Sequence, residues 1–265
     1  MNIRLIQWNI SFKSNADEIS DYLAKNIQGE TVINLQEVLA SSHKKISAIL
    51  QPDSAAFSLD HRKPGNNEGK NRKMGVATYV FGGTITNSDL ISRSVFPERT
   101  LFTSLKFKNT CVNNLNFHSL TGVDYKKAKT SNFASIADFI QEMNLDFFTC
   151  DANEPKTDSL HDDDIAFFNN KDNGVNAGLI FGANKVHNLK DAFKVYLETN
   201  NQKTNTEPLA ISHIISKKFN RRYDHIYCNN NWQPSIVTYP YKDSIMATSD
   251  HSAVIGDFSL KTGRS

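Results

Sequence analysis

Cysteine is scarce in this 265-residue sequence. Cys111, Cys150 and Cys228 are odd in number and lack metal-ligand spacing, which argues against a zinc module or a disulfide framework. All three sit in or beside apolar strand-like runs, so buried free thiols are expected. The opening MNIRLIQWNI is too short and too polar for a secretory leader. No apolar window approaches the length of a membrane span. These absences together predict a soluble, cytoplasmic protein. An excess of one charge sign is also missing. Thirty Lys and Arg against 28 Asp and Glu leave a formal charge of +2, which permits a local basic face but is no nucleic-acid footprint by itself. Without a repeat, a low-complexity segment or a dividing linker, residues 1–265 read as a single domain, with a monomer as the default.

What is present alternates between strand-like and helix-like runs. Strands are expected over Ile3–Ile10, Thr31–Leu35, Met74–Phe81, Arg99–Phe107, Thr110–Phe117, Asp146–Cys150, Tyr223–Tyr227, Ser235–Tyr239 and Ala253–Leu260. Apolar residues at helical spacing predict helices over Ala16–Asn26 (capped by Asn15), His43–Leu50, Lys126–Met143 and Leu189–Tyr196. Between Thr31–Leu35 and Met74–Phe81 lies HRKPGNNEGKNRK, residues His61–Lys73. It is too rich in basic residues, Gly and Asn to be anything but a loop. The class is mixed α/β.

Polar residues gather at the strand ends. They are Asn9, Glu37, His118, Asp151 with Asn153, Asp224, and Asp250 with His251. Each alone fits ordinary structure: an Asx turn at Asp151, a solvated cap at Glu37, an Asp224–Arg222 ion pair. As a set they supply carboxylates, carboxamides and two histidines. Oxygen donors without cysteine suit a hard divalent cation, and the histidines suit proton transfer beside a phosphoryl group. A strand through Asp151 and Asn153 would point both to one face.

The ordered motifs WNI (Trp8–Ile10), QE (Gln36–Glu37), DAN (Asp151–Asn153), RYDHIY (Arg222–Tyr227) and SDH (Ser249–His251) resemble the endonuclease/exonuclease/phosphatase superfamily. The resemblance runs from residue 3 to about 258. It implies a deoxyribonuclease I-like, four-layer α/β fold: a two-sheet β-sandwich flanked by helices on both outer faces. It also implies roles. Glu37 would be the principal metal ligand, with Asn9 and Asp250 close to the same Mg2+ or Mn2+ ion. His251 would act on the phosphate or the attacking water, with Asp224 fixing its tautomer. Asp151 would orient or deprotonate the water, and Asn153 would hold the scissile phosphate. His118 resembles a second histidine of the deoxyribonuclease and phosphatase branches, and Arg99 resembles an arginine directed at the phosphate backbone.

The wording departs from the family in places. Cys150-Asp151-Ala152-Asn153 stands where Gly-Asp-Phe-Asn is common. No acid lies in Arg72–Thr78 to support His118, and Glu68 is the nearest upstream. His118-Ser119-Leu120-Thr121-Gly122 does not match the abasic-site endonucleases. For Arg99 a surface pair with Glu98 stays open as the alternative.

Three basic clusters flank the strand ends: the loop carrying Arg62 and Lys73; Lys126, Lys127 and Lys129; and Lys217, Lys218, Arg221 and Arg222. They suggest a polyanionic substrate, most simply DNA or RNA, with Arg62, Lys73 and Lys126 among the phosphate contacts. Three readings follow: a metal-dependent nuclease, a phosphoesterase of small or lipid phosphates, and a non-catalytic binding module. The intact proton-transfer set argues against the last.

Overall fold

The computed structural model describes residues 1–65, 70–125, 127–168, 175–202 and 206–261. The first half of the chain runs β1 (Asn2–Asn9), α1 (Ala16–Asn26), β2 (Thr31–Val38), α2 (Ala40–Leu50), β3 (Ser54–Phe57), α3 (Ser58–His61), β4 (Gly75–Phe81), β5 (Thr84–Asp89), β6 (Thr100–Phe107) and β7 (Thr110–His118). The second half runs α4 (Gly122–Tyr125), α5 (Lys127–Glu142), β8 (Phe147–Asp151), α6 (Gly178–Phe181), β9 (Lys190–Asp191), α7 (Ala192–Thr199), β10 (His213–Ile215), β11 (Phe219–Arg221), β12 (Asp224–Cys228), β13 (Trp232–Thr238), α8 (Tyr241–Met246) and β14 (Val254–Leu260).

Two six-stranded sheets face each other, ordered β13-β14-β1-β2-β4-β3 and β5-β6-β7-β8-β12-β9. Each is mixed: β1–β2 and β7–β8 are parallel, and the other neighbours are antiparallel. A separate hairpin pairs β10 with β11. This is the two-sheet, helix-flanked arrangement that the sequence resemblance implies.

Period-two alternation explains the layers. On β1, Ile6 and Trp8 face outward and pack with Ile19 and Leu23 of α1 and Ile46 of α2. Ile3 and Leu5 face inward and meet Val80, Leu105, Phe107, Phe147, Ile226 and Phe258. On the second sheet, Leu115, Phe117 and Phe148 face outward and pack under α5 and α6 through Phe133, Ile136, Ile140, Ile180 and Phe181. Burial on both faces is why these strands read as nearly continuous apolar runs.

Toward one end the inner layer turns from apolar to amide. Asn34 Nδ2 donates to Asn114 Oδ1 at 2.9 Å, and Gln36 Nε2 to Asn116 Oδ1 at 2.8 Å. Thr78 Oγ1 donates to Asn34 Oδ1 at 2.7 Å, and Asn114 Nδ2 to Thr103 Oγ1 at 3.1 Å. These side chains are buried; the Asn34–Asn114 and Gln36–Asn116 bonds cross from sheet to sheet, and the threonine bonds brace them within each sheet. A buried amide left unpaired costs about 1–3 kcal/mol, so this ladder fixes the sheet-to-sheet register. The functional strand ends lie beyond it.

Several expected elements shift. Asn15 caps α1 as expected, its side chain accepting from Asp17 N. The expected helix over 126–143 is α5, preceded by the short α4, and Lys126 lies outside the described residues. The helix expected over Leu189–Tyr196 begins later: Asp191 caps α7, accepting from Phe193 N and Lys194 N, and Lys190–Asp191 joins the sheet edge instead. Short β3, edge β5 and the β10–β11 hairpin had no apolar run to announce them. Within the stretch read as loop, Lys70–Lys73 forms a single 3-10 turn and α3 ends at His61. Cys150 and Cys228 are buried as expected, but Cys111 is exposed. Cys111 is the second residue of β7, just before the strand's buried stretch.

Candidate active site

Asp151 ends β8 with its side chain on the inner face. Its backbone pairs with Asp224 of β12 on one side and with His118 of β7 on the other. Like charges directly opposite in a sheet repel. Here a histidine lies between them. His251 Nδ1 is 2.8 Å from Asp224 Oδ2, and His251 Nε2 is 3.9 Å from Asp151 Oδ2. The other oxygen of Asp224 accepts from Gln7 Nε2 at 2.9 Å. On the far side of Asp151, His118 Nε2 is 3.5 Å from Oδ2, and Asn9 Nδ2 donates to the same oxygen at 2.8 Å.

The loop carrying His251 is tied to β1. Trp8 Nε1 donates to His251 O at 2.9 Å, and Ser249 Oγ donates to Asn9 O at 2.6 Å. His251 N in turn donates to Ser249 Oγ at 3.0 Å. The WNI and SDH motifs are therefore two halves of one junction, which is why both are needed.

Glu37 reaches the site through a backbone irregularity. Simple alternation would send it outward with Leu35. The β2–β4 register shifts between Leu35 and Val38, and Glu37 takes φ +57°. That bulge turns the carboxylate inward, 3.9 Å from His118 Nε2, where Oε2 accepts from Phe12 N at 3.2 Å. A non-glycine residue in this region is held at a cost of about 1–3 kcal/mol.

Asn153 also has positive φ, +50°. The strand stops at Asp151, so the expected shared strand face does not exist. Asn153 is placed instead by an Asx turn, its N–H donating to Asp151 Oδ1 at 3.0 Å and its Nδ2 to Ser119 O at 3.3 Å. The ordinary turn and the candidate site coexist here.

The two histidines differ in charge. Burial works against protonation of His251, but Asp224 and Asp151 outweigh it and raise its pKa to about 10. Asp224 is correspondingly held below the usual carboxylate range: burial opposes ionisation, and the His251 charge and hydrogen bond prevail. His118 is pushed well below 6.5 by burial, then by Arg99 and His251, and is neutral. Asp151 is raised to about 7, chiefly by burial, with His251 opposing and Asp224 reinforcing.

Arg99 belongs to this cluster. The surface pairing with Glu98 is not what forms: Arg99 is buried. Its guanidinium lies 5.8 Å from the Tyr125 ring centroid and within the electrostatic reach of Glu37 and Asp151. Glu98 is instead fully buried between Arg62 and Arg72, at 3.2 and 2.9 Å.

Other expectations are redirected. Arg62 pairs with Glu98 at 3.2 Å. Lys73 is exposed on its 3-10 turn. Lys126 and Glu68 lie outside the described residues. Lys129 does not line the rim; it is buried, donating to Glu154 Oε1 at 2.7 Å and Asn153 O at 2.9 Å. Arg222 is neither substrate-facing nor paired with Asp224. It is buried in a fork on Asp158, at 2.7 and 2.8 Å, with Asp191 at 2.8 Å. Asp250 is exposed, and its backbone oxygen lies 3.0 Å from His213 Nδ1.

Two contributors carried no flag in the sequence. Gln7 supports Asp224, and its signal was a polar residue on the same strand face as Ile3 and Leu5. The His213 ring stacks on His251 with centroids 4.2 Å apart, and His213 Nδ1 is 3.0 Å from Asp250 O. Nothing in Ser212-His213-Ile214-Ile215 announces that contact.

Asp151, Asp224 and His251 place ligand atoms within 4.8 Å of one another. Asp224 and a cationic His251 already satisfy each other, so the oxygens that suit a cation are those of Asp151, Glu37 and Asn9. A carboxylate buried hard enough to titrate near neutrality, with a second carboxylate in the same cluster, fits a hard divalent ion, while the Asn9 oxygen accepts from Ser11 N at 2.9 Å.

No family model matches the chain, and no curated protein matches it by sequence. Solved structures do match its fold. An endonuclease/exonuclease/phosphatase from Bacteroides vulgatus superposes with a TM-score of 0.65 at 15% identity, covering 98% of this chain and 100% of that one. D. rerio TDP2 complexed with single strand DNA product gives 0.64 at 12% identity, covering 98% and 99%. The human Nocturnin catalytic domain with bound sulfate gives 0.64 at 17% identity, covering 98% and 95%.

Proposed function

We infer, for a chain with the endonuclease/exonuclease/phosphatase fold, a divalent-metal-dependent phosphodiesterase that hydrolyses the backbone of DNA or RNA. One observation carries this reading: a protonated His251, a neutral His118 and the cation Arg99 converge on Asp151 at one end of the two sheets. Pairs of titratable groups held in opposite protonation states mark acid and base roles. The D. rerio TDP2 likeness, with its single-strand DNA product, supports nucleic acid as the substrate class.

Glu37, Asn9 and Asp151 would hold Mg2+ or Mn2+, and that ion would neutralise the phosphate and polarise its oxygens. The chain's own groups supply the rest. His251, kept cationic by Asp224, donates to a non-bridging oxygen and stabilises the charge that grows on it. Asp151, 3.9 Å from His251 and 3.5 Å from His118, takes the proton of the attacking water. Asn153 Nδ2 turns from Ser119 O to the scissile phosphate, and Arg99 holds the phosphate from behind Tyr125. The whole chain acts as one catalytic domain.

The test is nicking of supercoiled plasmid with Mg2+, Mn2+ or chelator, wild type beside His251→Ala and Glu37→Ala. Nicking that needs metal and vanishes in both folded variants is expected. Wild-type activity surviving both changes would remove the assigned site. A folded wild type inert on DNA and RNA but active on nucleotide, inositol or lipid phosphates would replace the substrate class.

A further inference from the structure

A cavity of about 740 Å³ opens on the outer side of His251. That is within the range of ligand sites, about 300–1,000 Å³. One wall is the β10–β11 hairpin. The opposite wall is the start of the β1–α1 connection together with the segment before His251. Lys13 and Lys217 stand on opposite walls, and both are exposed. Neither forms an ion pair among the described residues. Several other cations are paired: Arg62 and Arg72 with Glu98, Arg222 with Asp158 and Asp191, Lys185 and Lys194 with Asp162. His213 is among the lining residues and its ring stacks on His251, so the cavity is separated from the candidate catalytic centre by a single imidazole. Asp250 marks the boundary between the two.

Backbone strain concentrates here. Nine described non-glycine residues have positive φ. Four of them line this cavity: Ser11 (+56°), Ser216 (+51°), Lys217 (+57°) and Thr248 (+70°). For a β-branched residue such as Thr248 that conformation is an outlier. Ser216 and Lys217 occupy the centre of a turn closed by Lys218 N donating to Ile215 O at 2.9 Å. A turn with two successive positive φ values favours Asn-Gly. This sequence keeps Ser-Lys instead and accepts the strain, which costs of the order of 1–3 kcal/mol per residue. Stability alone would have selected otherwise. The strained residues present hydroxyls and an ammonium to one concave space, a donor set suited to a phosphodiester.

Resting on the phosphodiesterase reading above, we propose that this cavity is a subsite for the nucleotide flanking the scissile phosphate of a nucleic-acid strand. Lys13 and Lys217 straddle the neighbouring phosphodiester, and Ser11, Ser216 and Thr248 donate to its oxygens. Phe12, exposed between the lining residues Ser11 and Lys13, offers a ring on which the base stacks, as aromatic side chains do in single-strand grooves. The site thereby reads a polymer and not an isolated phosphoester.

The experiment compares a fluorescein-labelled single-stranded oligonucleotide with bis(p-nitrophenyl) phosphate, a diester too small to reach both sites. Wild type is set beside the Lys13→Ala/Lys217→Ala double variant. The ratio of kcat/KM for the oligonucleotide to that for the small diester is expected to fall at least about tenfold. The dependence of log K on log salt is expected to flatten by about 0.7, for the one phosphodiester of a single strand that the two lysines share. A ratio and salt slope that do not move, or a wild type that cleaves only the small diester, overturns the subsite. If wild type cleaves neither, the phosphodiesterase reading fails separately. Anisotropy of the labelled oligonucleotide then decides the subsite alone, and equal binding by both proteins rejects it. A second variant, Ser216→Asn with Lys217→Gly, relieves the turn. It is expected to raise Tm while weakening oligonucleotide binding; unchanged binding would show the strain to be unrelated to this ligand.

Discussion

Asp151 and Asp224 face each other across β8 and β12, and the His251 ring lies between them. Two consequences belong to single residues. His251 has a folded pKa near 10 against 6.5 in the unfolded chain, so its ion pair stabilises fully below pH 6.5 and fades as pH rises through 10. Asp224→Asn removes the main partner. His251 is expected to titrate several units lower by NMR, with hydrolysis reduced on the order of 10⁴-fold, as for a triad aspartate. A His251 titration unmoved in that variant would break the assignment. Asp151 is raised from 3.8 to about 7, so the folded state favours its proton, and the metal-free protein loses stability as pH rises through 7. Asp151→Asn is therefore expected to be more stable than wild type at pH 8 and to lack that loss. Thermal unfolding at pH 5 and pH 8 measures it.

At the scale of the element, the bulge in β2 decides whether Glu37 serves the site. Glu37→Ala and Glu37→Gly should both abolish hydrolysis. They should differ in stability, with Gly about 1 kcal/mol better than Ala because φ +57° suits it. Equal urea midpoints would mean that the bulge rearranges when the carboxylate goes. The Arg222 fork on Asp158 and Asp191 ties β12 to the loop after β8 and to the N-terminus of α7. Arg222→Ala leaves two buried carboxylates without their cation, and about 3–5 kcal/mol of stability should disappear in denaturant titration. Gln7 acts one step from the chemistry. Gln7→Leu keeps β1 packed but frees one oxygen of Asp224, and kcat is expected to fall about 10–100-fold with little change in KM.

For the whole molecule, the proposed ion and the proton would compete for the same end of the sandwich. An ion held by Asp151 must displace its proton, so Mg2+ binding by calorimetry should tighten from pH 6 to pH 8 and release protons. Affinity independent of pH would place the ion elsewhere. Chelation should lower Tm more at pH 8 than at pH 5, because the ion offsets the repulsion that appears only when Asp151 ionises.

The sequence by itself determined the strands buried on both faces, because alternating and continuous apolar runs are local signals. It also determined the polar strand ends, because WNI, QE and DAN sit where an apolar run stops and RYDHIY and SDH where one begins. The helix α1 and its cap were legible for the same local reason. Tertiary structure decided which charges are spent and which are free. Arg222, Lys129 and Arg62 look alike in sequence to Lys217, yet three are consumed by acids distant in the chain. It decided that Glu37 turns inward, since a bulge is a property of two paired strands and not of one. It stacked His213 on His251, and it gave one histidine a proton while denying it to the other. Charge state and ion pairing depend on distance through space, and distance through space is what a linear sequence leaves unspecified.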